Sequence, residues 1–234
     1  MKLHLLQQLI TSFLSHTSRL ESLPWYFPHA IVGQFQENWS LHESAELSLM
    51  YDLSLDSTIS QRWWKREQYR PKEIMLKLIN IDSELASIAF KDLSNEAAKL
   101  DGRLSRFEFY SEELLQMLRR SDRKVNETYH HQDASMISLY LAGMYPDKYT
   151  LYPGLKIYTA FCKAIESPEI PKVDDLVRYQ KQAATVYKFL EKDPGFDALL
   201  KERKDSIHRT KFIPFQTAYE FISFSGGNRN LDIP

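Results

Sequence analysis

Pro71-Lys-Glu-Ile-Met-Leu-Lys-Leu-Ile-Asn-Ile-Asp-Ser-Glu-Leu-Ala-Ser-Ile-Ala-Phe-Lys-Asp-Leu93 reads as two consecutive helices joined by almost nothing. Pro71 suits a first helical turn, where its missing N–H has no partner to lose, and Ile74, Leu78 and Ile81 then recur on one face. Asp82 or Ser83 has the side chain of a helix cap, and Leu85, Ile88, Ala89 and Leu93 give the next helix its apolar stripe. The spacing is three and four throughout, with no period-two alternation. The stretch therefore predicts helix packed on helix.

The same grammar extends in both directions. Upstream, a first helix is expected over about 2–20, with Leu6, Leu9, Ile10, Phe13 and Leu14 on its apolar face and Pro24 as its stop. Shorter helices are expected over 30–37 and 44–53. Downstream, Phe107, Leu114, Leu115 and Leu118 predict a helix over 105–120, and the polar segment 121–132 predicts a loop. Asp133 caps a helix carrying Ile137, Tyr140, Leu141 and Met144, which Tyr145-Pro146 ends because proline disfavours helix in the residue before it. Pro153 can open a helix through Ile165. Asp174 or Asp175 caps another through Leu190, Asp193-Pro194 starts a third, and Pro214 opens the last, with Ala218, Tyr219 and Ile222 inward. Only seven glycines and ten prolines interrupt 234 residues. The expectation is an all-α, irregular bundle of eight to ten helices: one module over 1–224, divisible near 121–132 or at the prolines of 168–171, and a loose tail over 225–234.

Composition removes several function classes. Thirty Lys and Arg against thirty-one Asp and Glu leave a net charge of −1, so bulk charge argues for neither nucleic acid nor an anionic membrane. The single cysteine, Cys162, can form no internal disulfide, as suits a reducing cytoplasm, and it falls on an apolar stripe as a structural thiol would. No apolar run has the length of a signal peptide or a membrane span. No glycine precedes a lysine, which excludes the phosphate-binding loop of P-loop enzymes. Dinucleotide, nucleophile-elbow, His-Glu-x-x-His and calcium-loop patterns are absent too. His130-His131 and Glu112-Glu113 are adjacent pairs that do not face a common point on regular structure. The expectation is a protein without catalytic residues, metal or cofactor.

Charge is nevertheless segregated. From Leu20 to Gln61 there is no Lys or Arg, while Glu21, Glu37, Glu43, Glu46, Asp52 and Asp56 accumulate. Arg62, Lys65, Arg66, Arg70 and Lys72 then follow, interleaved with Trp63, Trp64 and Tyr69. Cations beside aromatics are the composition of phosphate contact with base stacking; equally, the tryptophans could anchor the segment in a core while the charges face water. Secondary basic clusters are Arg119, Arg120, Arg123 and Lys124, at a helix C-terminus that itself favours cations, and Lys201, Arg203 and Lys204, continuing to His208, Arg209 and Lys211.

The run Asp133-Ala-Ser-Met-Ile-Ser-Leu-Tyr-Leu-Ala-Gly-Met-Tyr-Pro-Asp-Lys-Tyr-Thr-Leu-Tyr152 and the following Tyr158–Ile165 resemble a segment of the N-terminal regions of bacterial McrB-like restriction proteins. Gln34-Phe-Gln-Glu-Asn-Trp39, Pro71-Lys-Glu-Ile-Met-Leu76 and Gln216–Ile222 are similar in the same order, over about 25–224. The turn Tyr145, Pro146, Asp147, Lys148, Tyr149 is its most specific part. It also makes sense without a ligand: Pro146 stops a helix, Asp147 suits a turn, and Tyr149 and Tyr152 can lay rings on neighbouring helices with their hydroxyls in water. In that family the chain continues into an AAA+ motor, so the resemblance implies a separate N-terminal module of a restriction or phage-defence system. It carries over no catalytic residue. Two functions follow as expectations: contact with DNA through the 62–72 run, or docking of a nuclease subunit or the motor through the acidic 20–61 segment and exposed aromatics.

Overall fold

The computed structural model describes residues 2–17, 26–39, 46–65, 69–121, 133–206 and 212–227, without the side chains of Tyr26, Arg62, Asp205 and Ser206. It is 77% helical, with no strand or sheet among the described residues. Twelve α-helices are described: α1 Leu3–Thr17, α2 Tyr26–Asn38, α3 Leu47–Ser54, α4 Thr58–Trp64, α5 Pro71–Ile81, α6 Ser83–Ser94, α7 Leu100–Ser121, α8 Ala134–Met144, α9 Leu155–Ala164, α10 Leu176–Leu190, α11 Pro194–Ser206 and α12 Thr217–Ser225. The fold is all-α, with more helices than the eight to ten expected. The helix with no counterpart among the segments expected to be helical is α4, which opens on a reciprocal Ser57–Ser60 capping box just before the charged run, where too few apolar residues exist to reveal a period.

The caps explain why the other boundaries fall where they do. Asp82 Oδ1 accepts from the Leu85 N–H, Asp133 Oδ1 from those of Ser135 and Met136, and Asp175 Oδ1 from that of Arg178. Each satisfies first-turn donors that have no intrahelical acceptor. Gly154, not Pro153, caps α9, with φ at 88°. Helix α7 begins five residues before Ser105, because Arg103 is an inward residue that an apolar pattern does not register. Its guanidinium donates to the Leu93 carbonyl at the end of α6 (Nε, 2.8 Å) and pairs with Glu96, so it closes that helix's C-terminus with positive charge.

The chain divides into two compact units, Met1–Gly33 with Tyr145–Pro234, and Gln34–Met144. The divisions fall inside α2 and directly after α8. The expected division near 121–132 lies outside the described residues from 122 onward, and the prolines of 168–171 lie inside one unit. The Gln34–Met144 unit is built on the α6–α7 hairpin, against which α5 and α8 pack. Its centre is aromatic: Phe35, Tyr51, Phe90, Phe107 and Tyr140 are fully buried, and the Tyr51 and Tyr140 hydroxyls bond each other at 2.8 Å. Gly143 is required here, since a Cβ would sit 2.1 Å from the Phe35 ring. The other unit surrounds α12, buried from Thr217 to Phe224, with α1, α9 and α10.

Candidate functional site

Among the described residues of the 62–72 run, both tryptophans and Lys72 are buried. Trp63 is 2% exposed and Trp64 8% exposed, with the Trp64 indole N–H donating to the Leu55 carbonyl at 3.2 Å. Neither ring offers a face on which a base could stack. Lys72 is buried too: its ammonium lies 2.7 Å from an Asp52 carboxylate oxygen and 5.3 Å from the centre of a Trp64 ring. A buried cation needs such neutralisation, and Lys72 is thereby unavailable to phosphate. Arg70 is exposed and paired with Glu73 at 2.9 Å, and Lys65 is exposed. Arg66 and the Arg62 side chain lie outside the described residues.

The secondary clusters divide similarly. Arg119 and Arg120 are exposed at the end of α7, whereas Arg123 and Lys124 lie outside the described residues. On α11, Lys201 and Lys204 are exposed, but Arg203 points into the core. His208, Arg209, Lys211 and the His130-His131 pair lie outside the described residues. Cys162 is fully buried, its thiol donating to Gln182 Oε1 at 3.6 Å beside the Tyr158 hydroxyl, which reaches the same oxygen at 2.7 Å. Burial pushes the Cys162 thiol up, away from the reactive thiolate.

The Tyr145–Tyr149 turn closes through its own backbone, the Lys148 and Tyr149 N–H groups both donating to the Tyr145 carbonyl at 3.0 Å. It delivers the chain into a buried extended run over 149–153. Extended backbone in a helical core lacks a ladder partner, and two glutamines replace it. Gln180 accepts from the Thr150 N–H (3.0 Å) and donates to the Thr150 carbonyl (2.7 Å); Gln216 accepts from the Leu151 N–H (3.2 Å) and donates to the Tyr149 carbonyl (2.9 Å). The Tyr179 hydroxyl donates to the Leu151 carbonyl at 2.6 Å. Tyr149 and Tyr152 are buried, and the Tyr152 hydroxyl donates to Asp174 at 2.7 Å instead of facing water. Desolvation and that carboxylate push the Tyr152 phenol well up.

Two features escaped the sequence reading. The first, within the α12 unit, is a buried chain of charges. Glu220 Oε1 lies 2.8 Å from His29 Nε2, and Arg203 Nη1 donates to Glu220 Oε2 at 2.6 Å, with all three side chains at most 3% exposed. The Ile213 backbone N–H donates to His29 Nδ1 at 3.1 Å, so Nδ1 carries a lone pair and Nε2 carries the proton given to Glu220. The Phe212 ring covers the imidazole at 4.6 Å. Neutral His, Glu and Arg then balance in charge, closed to any substrate. The one visible signal was Glu220 standing alone in an apolar run.

The second feature, in the other unit, is the outer side of the α6–α7 hairpin. Ile88, expected inward, is 45% exposed, because Ala86 and Phe90 take the inner face of α6. Phe109 on α7 is 60% exposed, with its ring 5.6 Å from that of Tyr110. Among the described residues, the other exposed large apolar side chains are Leu3, Leu49, Leu53 and Val173.

No protein-family model, curated protein or solved structure matches this chain. Among the described residues, no helix is long and apolar enough to cross a membrane, and no group of three or more His, Cys, Asp or Glu is placed to hold a metal ion.

Proposed function

We propose that this chain is a non-catalytic helical module that docks a protein partner, and that it serves a bacterial, cytoplasmic restriction or phage-defence system of the McrB-like kind that its sequence resembles. The partner in that reading is the nuclease subunit or the AAA+ motor. The observation that carries the docking part is where the aromatics lie: Trp63 and Trp64 are packed in the core, while Phe109 stands in solvent. A DNA-stacking surface needs the opposite arrangement, whereas exposed apolar side chains in a folded protein favour protein contact.

The test is capture of partners by the tagged full chain from its native host, with and without nuclease treatment, identified by mass spectrometry. The reading expects a reproducible partner whose recovery nuclease leaves unchanged. Recovery abolished by nuclease would transfer the function to the exposed cations Lys65, Arg70, Arg119, Arg120, Lys201 and Lys204, and so to DNA.

A further inference from the structure

We propose that the outer groove between α6 and α7 receives a basic amphipathic helix of the protein partner. This deepens the docking reading and rests on it. The register of the hairpin comes from three contacts: Arg103 on the Leu93 carbonyl, Arg106 Nε on Asp92 Oδ2 at 2.9 Å, and the Phe90 and Phe107 rings at 5.4 Å. Continued one turn along both helices, it sets Ile88 beside Phe109 and Tyr110, and Leu85 beside Glu113. Phe109 lies two residues from inward Phe107, and Ile88 two from inward Phe90, so both side chains leave their helices on the solvent side. Asp92 and Arg106 mark which flank of each helix faces the other, and Leu85, Ile88, Tyr110 and Glu113 share those flanks at helical spacing. The result is an apolar floor between two well-packed helices.

The charges around that floor select its occupant. The Asp92–Arg106 pair closes one end and is internally neutral. Alongside the floor, Glu84, Glu112 and Glu113 are exposed, against exposed Lys91 beside the closed end; the exposed Arg119 and Arg120 lie about two turns further along α7, past the first residue of α6. An acidic rim around an apolar floor complements a helix with Leu- or Ile-like residues at i, i+3 and i+4, flanked by Lys or Arg. DNA, a polyanion, would bring no such match.

The experiment places the photo-crosslinker p-benzoylphenylalanine at Phe109, and separately at Leu49 as an exposed reference, in the full chain expressed in its host. Crosslinked peptides are then sequenced. The expected result is a crosslink from position 109 to a Lys/Arg-rich segment with apolar residues at helical spacing. The double substitution Glu112→Lys, Glu113→Lys should lower its yield about tenfold. Both glutamates are exposed, so the fold survives the exchange, which circular dichroism checks. A crosslink to a second copy, to an acidic segment, or one insensitive to the charge reversal overturns the groove assignment. Protein crosslinks from Leu49 but none from Phe109 overturn the groove and leave the docking reading standing. Nucleic acid attached at either position, with no protein, overturns both.

Discussion

The two units hold their interiors by different means. In Gln34–Met144 the centre is a cluster of rings, with Phe90 edge-on to Phe107 and Tyr140 at 5.4 Å each, and its polar atoms meet in pairs such as the Tyr51 and Tyr140 hydroxyls. The α12 unit buries rings too, Phe13, Phe161 and Phe221 among them, but its interior also holds amides and an ion chain buried at every member, His29, Glu220 and Arg203 with Gln180 and Gln216. The buried cations of Gln34–Met144, Lys72 and Arg103, instead pair with carboxylates that reach solvent. A ring cluster is specified by volume, and it fails by overpacking or by cavities. A polar interior is specified by pairing, and it fails when one partner is removed and another is stranded. The two units should therefore be sensitive to different substitutions.

The largest effect should come from splitting the buried charges. Glu220→Ala removes the carboxylate that Arg203 Nη1 and His29 Nε2 share, and loses about 3–5 kcal/mol of stability in urea unfolding. The triple replacement Glu220→Leu, Arg203→Met, His29→Phe should recover most of that loss, because a pairing interior can be exchanged for an apolar one of similar volume. A triple variant no better than the single would contradict the pairing account. Next comes the volume test in the other unit. Gly143→Ala drives a methyl group into the Phe35 ring and should destabilise by about 1–3 kcal/mol, relieved in part by Phe35→Leu. An unaffected Gly143→Ala variant would show that the ring cluster has slack.

The smallest effect concerns pH. Burial holds the Glu108 carboxyl above its ordinary 4.5. A carboxyl raised in the folded state favours its protonated form there. Its contribution to stability is therefore complete below pH 4.5 and is lost as pH rises through the folded value. Glu108→Gln should remove that slope between acid and neutral pH and leave a slightly more stable protein at pH 7. An identical pH profile in the variant would contradict the assignment.

Local signals carried the fold. Pro71, the Asp82, Asp133 and Asp175 caps, and Pro146 after α8 each act within a few residues of the boundary they set, so they can be read in order along the chain. What the reading missed depends on contacts distant in sequence. Nothing local distinguishes Arg203, which meets Glu220 in the core, from Lys201 and Lys204, which face water on the same helix. Trp63 and Trp64 beside cations fit either a base-stacking surface or a core anchor, and packing selected the anchor. Ile88 belongs to an apolar stripe wider than the contact it serves. The residue left over on the outside is the one that marks the candidate groove.

The most direct test of the central claim, a protein-facing module with its tryptophans in the core, is an anisotropy titration of labelled duplex and single-stranded DNA with the full chain at low and physiological salt. The account predicts no saturable binding at micromolar protein and no difference from the Lys65→Glu, Arg66→Glu variant. Salt-dependent binding that this variant weakens would contradict it.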